Sequence, residues 1–257
     1  MQNILDWNGR DITVVESDGG VRAVVHFADN LVRTGVAPWP PGEIIQKLYK
    51  SDHQRSFMGP DRAAAIQVLS FYSDLQSLHS EDAITWSVFG PLAYDEASMR
   101  CRFVESLFRL IELPVKRVGQ ASVWLWRRVP HPDTQVSGGP EIDFGIYCDE
   151  VLVLGESKWR GKFAVKQGKA KNKDQLVLRQ DFLQKHAASM CGQVNRIVVL
   201  AVSWHGNLFV KSDISLSQGI MHLKDLTWDS LISETEHPLK DELGRYLKWK
   251  KDNSKPA

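Results

Sequence analysis

The stretch PEIDFGIYCDEVLVLGESK covers residues 140–158 and contains two apolar runs that are separated only by Asp149-Glu150. The runs EIDFGIYC and VLVLGESKW have the length and composition of β-strands, and the short polar connection between them predicts a hairpin. Because Cys148 and Val151 flank the connection, pairing outward along the two strands places Asp143 opposite Glu156.

The end of the second strand carries a pattern typical of metal-assisted hydrolysis. Glu156 and Lys158 are two residues apart, so they project to one side of a strand while Ser157 projects to the other and leaves its backbone carbonyl available to a metal. Two opposed carboxylates can share a hard cation such as Mg²⁺. A lysine beside that ion can orient an attacking water or accept its proton. A cross-strand ladder of salt bridges is the structural alternative for Asp143, Glu156 and Lys158.

The elements around the hairpin follow a definite order. Ser80 is a candidate N-cap for a helix that Gly90-Pro91 is expected to interrupt, and a second helix is expected over about residues 95–113. The further elements are a strand at 121–129, a helix at about 173–187, a strand at 197–204, an added strand at LFVK (208–211) and a tail helix around 241–250. From residue 81 the order is therefore helix, three strands, helix, strand.

Residues 1–78 are expected to form an accessory α+β lobe, followed by a second domain over residues 79–257. Two short strands are predicted around the turn residues Asp18-Gly19-Gly20, and helices are predicted at 43–50 and 61–76. Nothing in this lobe carries recognisable chemistry.

Pro140-Glu141-Ile142-Asp143, together with Glu156-Ser157-Lys158, resembles the signature of the PD-(D/E)xK nuclease superfamily, although Glu141-Ile142 intervenes between the proline and the aspartate. The element order over residues 81–204 is similar to the core of that superfamily. The resemblance implies a restriction-endonuclease-like α/β core, a central mixed sheet flanked by helices. It also implies that Asp143 and Glu156 bind Mg²⁺, for which Mn²⁺ can substitute, and that Lys158 assists the nucleophile.

The resemblance extends to Glu81, because the helix before the sheet in many members carries a glutamate that completes the metal site. The alternative is a first-turn acid that the helix dipole stabilises.

Gln175 is a candidate for a polar residue near the scissile phosphate, and a plain solvent-facing glutamine is the alternative. The Trp124 and Trp126 pair is interpreted as one packed face of a strand in preference to a surface that stacks on bases.

A basic segment follows the predicted catalytic strand. It is expected to contact a phosphate backbone, with a solvated charge run as the alternative. The candidate nucleic-acid-binding residues are Lys162, Lys166, Lys169, Lys171, Lys173, Gln175 and Arg179.

Composition limits the class of protein. The formal net charge is +1, so any basic surface has to be local, and the three cysteines fit neither a disulfide framework nor a zinc site. With no signal peptide and no membrane-length apolar run, a cytoplasmic protein is expected.

Together, the motif and the resemblance predict a metal-dependent nuclease that cuts DNA. Restriction or antiphage defence is the expected setting, and a homodimer or a larger defence complex is the expected assembly. An RNA nuclease and a non-catalytic nucleic-acid-binding or scaffolding subunit with the same fold are the alternatives.

Overall fold

A computed structural model describes residues 1–16, 20–48, 73–114, 117–130, 137–148, 150–161, 175–191, 194, 196–209, 213–216 and 219–254. The chain forms two compact units, Met1–Asp95 with Pro238–Ala257, and Glu96–His237. These units differ from the predicted division at residue 78, because the helix after Ser80 and the C-terminal helix both belong to the first unit. Among the helices in this described part of the chain, none has the length and apolar content that crossing a bilayer requires.

The regular elements are named here in chain order. The strands are β1 (Gln2–Leu5), β2 (Asp11–Glu16), β3 (Arg22–Val24), β4 (Ser122–Pro130), β5 (Ser137–Cys148), β6 (Val151–Ser157), β7 (Arg196–Ser203), β8 (Asp213–Leu216) and β9 (Gly219–Thr227). The α-helices are α1 (Gly42–Leu48), α2 (Glu81–Tyr94), α3 (Ala97–Leu110), α4 (Gln175–Cys191), α5 (Trp228–Glu234) and α6 (Lys240–Asn253). Short 3-10 helices span Phe27–Asn30 and Asp74–Gln76.

The first unit contains an antiparallel sheet in the order β1-β2-β3 together with α1, α2 and α6. Helix α6 confirms the helix predicted at the tail. Helix α1 confirms the one predicted at 43–50 up to Leu48, and residues 49–50 lie outside the described part. Most of the helix predicted at 61–76 also lies outside it, and its last residues, Asp74–Gln76, form a 3-10 helix.

Helix α2 begins as predicted and ends later than predicted. The Ser80 hydroxyl accepts a hydrogen bond from the Ala83 N–H at 3.1 Å, which is the expected N-cap. The expected interruption at Gly90-Pro91 is wrong, because the helix continues through Pro91 to Tyr94. Pro91 lies in the last turn, so only three helical residues follow the backbone hydrogen bond that its missing N–H removes. Gly90 is needed there, because a Cβ atom would come within 2.6 Å of the Trp86 ring.

The second unit is built on a six-stranded mixed sheet in the order β4-β5-β6-β7-β9-β8. Strands β4, β5 and β6 run antiparallel, β6, β7 and β9 run parallel, and β8 is antiparallel to β9. The β5–β6 hairpin confirms the predicted register from Cys148 opposite Val151 to Phe144 opposite Gly155. Strand β9 was not predicted, and Leu208 and Phe209 of the predicted LFVK strand are not in a strand.

Helix α4 packs on one face of this sheet and closes an apolar cluster. Its Phe182 and Leu183 are buried against alternate residues of three neighbouring parallel strands. These residues are Leu152, Leu154, Ile197, Val199, Met221 and Leu223. The next residues that alternation places on this face are Glu156, Ala201 and Asp225, which stand in register with one another across β6, β7 and β9. The face therefore turns from apolar to polar at the carboxyl edge of the parallel strands.

Lys250 in the first unit is a fully buried lysine whose Nζ donates to the Leu78 carbonyl at 2.9 Å. Burial lowers its pKa from 10.5 to about 7. Between these pH values the unfolded chain still holds a proton that the folded chain has released. Raising the pH through this window therefore favours folding, and the cost of burying the charge is fully present below about pH 7.

We expect Lys250→Met to have a higher free energy of unfolding than the wild type below pH 7. This difference should become smaller as the pH rises toward 10. Denaturant unfolding at several pH values measures this difference. Lys248→Met is the matched control, because the Lys248 side chain is 80% exposed on the same helix. A difference between Lys250→Met and wild type that does not change with pH would contradict the assignment.

Candidate functional site

The ends of β5 and β6 bring Asp143 to the Glu156-Ser157-Lys158 segment. The paired register of the hairpin ends at Phe144 opposite Gly155, one position before the predicted pair of Asp143 and Glu156, so that pair stays a prediction. The Ser157 backbone N–H donates to Asp143 Oδ2 at 2.8 Å. In a strand the N–H and C=O of one residue point to the same neighbouring strand, so the Ser157 carbonyl is directed toward the β5 side as well.

The Glu156 carboxylate is buried and is held by two cations. Lys158 Nζ lies 2.9 Å from its Oε1, and the Arg179 guanidinium lies 2.9 Å from its Oε2. The Glu156 and Arg179 side chains are only 4% and 3% exposed. Because a buried carboxylate is costly unless it is paired, this arrangement neutralises the charge of Glu156 within the protein.

Arg179 reaches the site from α4. It precedes Leu183 by one helical turn, so the helix face that packs on the sheet also carries the guanidinium. The Nη2 atom that contacts Glu156 also donates to the Glu141 carbonyl at 2.6 Å. Nη1 is buried and has no hydrogen-bond partner among the described residues. Arg179 was predicted as a nucleic-acid contact, and the structure instead places it in this buried network.

The backbone of Lys158 is fixed although β6 ends at the preceding residue. Its N–H donates to the Val202 carbonyl at 2.8 Å, and its carbonyl accepts from Trp228 Nε1 at 3.0 Å. The side chain is 11% exposed. Lys158 therefore has a fixed main chain and a side chain that is mostly buried beside Glu156.

The strand on the other side of Asp143 is distorted. The β4–β5 register passes from Leu125 opposite Phe144 to Arg127 opposite Ile142, so Trp126 stands across from Asp143. Trp126 has a φ of 51°, which is a strained conformation for a bulky residue within a strand. Such strain is concentrated at functional sites in proteins, and no pattern in the sequence indicated it.

Two aromatic rings pack over glycines beside the site. A Cβ at Gly155 would come within 2.3 Å of the Phe144 ring, and one at Gly145 within 2.0 Å of the Trp124 ring. Gly155 directly precedes Glu156, so this close approach sets the position of the strand end. Trp126 is 7% exposed, and Trp124 packs against the apolar cluster, so both rings are packed, while their sharing one face of the strand stays a prediction.

The oxygen donors at this site suit a hard divalent cation. Asp143 and Glu156 offer carboxylates, and the Ser157 carbonyl offers a third oxygen. Within the described ranges, no group of three or more His, Cys, Asp or Glu residues is placed to hold a metal ion. Mg²⁺ needs only one or two protein carboxylates, since water and substrate phosphate complete its octahedron. The residues present therefore fit Mg²⁺, provided that Glu156 exchanges a cationic partner for the ion.

Asp225 on β9, which was not predicted from the sequence, belongs to the same row as Glu156. Its Oδ2 accepts from the Phe209 N–H at 3.1 Å and also from the Leu208 N–H. Burial raises the pKa of Asp225, while these two hydrogen bonds act in the opposite direction. The alternation of Met221, Leu223 and Asp225 is the signal that could have identified this strand.

The remaining predicted site residues are not tested by this geometry. Glu81 opens α2 in the first unit, whereas Asp143, Glu156 and Lys158 belong to the second, so its contribution to a metal site stays a prediction. Gln175 is the first residue of α4, and its side chain lies outside the described residues. The predicted basic residues Lys162, Lys166, Lys169, Lys171 and Lys173 also lie outside them.

We expect Arg179→Met to destabilise the protein by about 3–5 kcal/mol, because it leaves the buried Glu156 with a single cationic partner. Glu156→Gln in the same chain should recover a large part of this loss, since it removes the unmatched charge. A double-mutant cycle from denaturant unfolding measures the coupling between the two residues. Additive effects of the two substitutions would contradict the direct ion pair.

Comparisons with protein-family models, with curated proteins and with solved structures found no match for this chain. What the chain does is therefore inferred from the geometry of its own residues.

Proposed function

We propose that this chain is a metal-dependent nuclease of the PD-(D/E)xK type, which hydrolyses phosphodiester bonds in DNA. The observation that carries the proposal is the convergence of Asp143, Glu156 and Lys158 at the end of the β5–β6 hairpin. Glu156 is 3% exposed. Burying a charged group lowers stability, and packing of the core gives no reason to place one there. A functional role accounts for the position of these charges at the edge of an otherwise apolar sheet face.

The order of elements in the second unit supports a restriction-endonuclease-like core. Helix α3, strands β4 to β6, helix α4 and strand β7 reproduce the order helix, three strands, helix, strand, with β7 parallel to β6. In this interpretation α3 takes the place that the sequence analysis assigned to the helix after Ser80. The acids then lie on the central strands, where a substrate can approach the carboxyl edge of the sheet.

Asp143 and Glu156, with the Ser157 carbonyl, would hold Mg²⁺, and Mn²⁺ could replace it. When bound, the ion would supply charge neutralisation at the phosphate and make water more acidic. Asp143 is already fixed by the Ser157 N–H. Arg179 donates a hydrogen bond to Glu156 Oε2. The other oxygen, Oε1, is therefore the one that would change partner.

Lys158 would act on the attacking water. Its ammonium is paired with Glu156 Oε1 at 2.9 Å and its backbone is held on both sides. The ammonium would donate to the water or exchange a proton with it.

A non-catalytic nucleic-acid-binding subunit with this fold is the second candidate. It is favoured by the fact that both Glu156 oxygens already have cationic partners, so the network is balanced without a metal. Digestion of plasmid DNA, single-stranded DNA and RNA in parallel, with Mg²⁺ and with EDTA, separates the candidates. Cleavage of RNA alone would make the chain a ribonuclease. Restriction or antiphage defence, as a homodimer or in a larger complex, is the setting that we propose for the nuclease.

We expect Asp143→Asn to reduce cleavage to background while binding of nucleic acid is retained. The asparagine keeps an oxygen that can accept from the Ser157 N–H, so the fold is preserved and only the charge is lost. Glu150→Gln is the matched control, because it removes one exposed negative charge at the opposite end of the same hairpin. An Asp143→Asn protein that cuts at the rate of the control would remove Asp143 from the site.

Lys158→Met tests the charge of Lys158 while it keeps most of the packing of the side chain. We expect the single-turnover rate at saturating Mg²⁺ to fall by about 10²–10⁴-fold, because a positioned proton-transfer group is lost. Metal binding should persist, since the carboxylates remain. Wild-type turnover together with a lowered melting temperature would show that Lys158 is only the salt-bridge partner of Glu156.

A further inference from the structure

A pocket of about 350 Å³ lies where β6 and β7 end. This volume falls within the roughly 300–1,000 Å³ of small-molecule sites. Its lining consists of the residues after β6, namely Trp159, Arg160 and Gly161, and those at the end of β7 and after it, Ser203–Leu208. The carboxyl ends of neighbouring parallel strands are a common place for ligand binding in α/β proteins.

The wall of this pocket combines aromatic rings with a cation. The Trp159 ring is 1% exposed and meets the half-buried Trp204 ring at a centroid distance of 4.6 Å and an interplanar angle of 61°. The exposed Arg160 guanidinium lies over the Trp204 ring, 4.5 Å from its centroid. Trp204 therefore packs against a buried ring, the exposed Arg160 side chain lies over its face, and the His205 ring is 5.8 Å from its centroid.

The loop that carries Trp204 is held in place by hydrogen bonds. Ser203 Oγ accepts from the Gly206 N–H at 2.8 Å, and Asp225 accepts from the N–H groups of Leu208 and Phe209 further along the loop. Gly206 and Asn207 adopt φ angles of 68° and 58°. A binding surface that is fixed in advance loses less entropy when a ligand arrives.

The pocket is next to the proposed catalytic strand in the chain and in the sheet. Ser157 pairs with Val202, and the Lys158 N–H donates to the Val202 carbonyl. Trp159 and Trp204, two residues further along each strand, are therefore neighbours directly beyond Lys158. A nucleotide held there would lie beside the end of β6, the strand that carries Glu156.

We propose that this pocket binds an unpaired nucleobase of the substrate strand, stacked on Trp204 in place of Arg160, with the displaced guanidinium near the adjacent phosphate. Stacking on an aromatic ring suits any base, and arginine adds a cation–π contact and a charge for the backbone. Polar groups of His205 and Asn207 line the rim for the edge of the base. The inference rests on the proposed function, and it defines the substrate as single-stranded or locally unpaired.

The test is the affinity of the Asp143→Asn protein for a short labelled oligothymidylate, for the matching oligouridylate and for the fully paired duplex. Adding Trp204→Ala should weaken binding of the single strand by about 5- to 150-fold, with little change for the duplex. Trp204→Phe should retain most of the affinity. Tyr147→Ala is the control, because Tyr147 is another exposed aromatic in the same unit, 39% exposed on β5.

Unchanged single-strand affinity in Trp204→Ala, or an equal loss for single strand and duplex, would overturn the inference. If Trp204→Ala does not fold, Trp204→Leu is the second variant, since it fills more of the space and still removes the aromatic face, and unchanged affinity there would count equally against the inference. Failure of the proposed function would give a different result. Wild-type protein would then cut no substrate, while Trp204→Ala would still weaken single-strand binding. Wild-type protein that binds no single-stranded oligonucleotide would overturn the pocket whatever its cleavage activity.

Discussion

The Glu156 carboxylate is buried between two cations, and much of the second unit is arranged around that fact. Removing a carboxylate from water costs several kcal/mol, so both of its oxygens need partners inside the protein. One cation, Lys158, comes from the same strand, and the other, Arg179, comes from the helix that covers the sheet. The position of α4 on the sheet is thus constrained by an ion pair as well as by apolar packing.

Packing and chemistry share one face of the sheet. Alternate residues of β6, β7 and β9 are apolar under α4, and the same alternation ends in Glu156, Ala201 and Asp225. Glu156 belongs to the proposed metal site, while Asp225 accepts hydrogen bonds from the loop that carries Trp204. Residues in one row across the sheet therefore contribute to the proposed metal site and to the support of the proposed base pocket.

Close packing beside the site leaves little freedom to its backbone. The Phe144 ring occupies the space that a side chain at position 155 would need, and Trp126 takes a left-handed conformation opposite Asp143. Both features are costly in an ordinary strand. They hold the ends of β5 and β6 in a fixed relation, which a site that depends on two opposed carboxylates requires.

The sequence by itself determined the hairpin, its register and the shared side of Glu156 and Lys158, because a two-residue repeat and a short connection are local properties. It also determined the N-cap of α2 and the C-terminal helix. Only the tertiary structure decided that Arg179 is buried against Glu156, that β9 stands between β7 and β8, and that α2 continues through Pro91. The first two outcomes depend on contacts between residues far apart in the chain, and the third on the burial of Gly90 and Pro91, where packing overrides local preference.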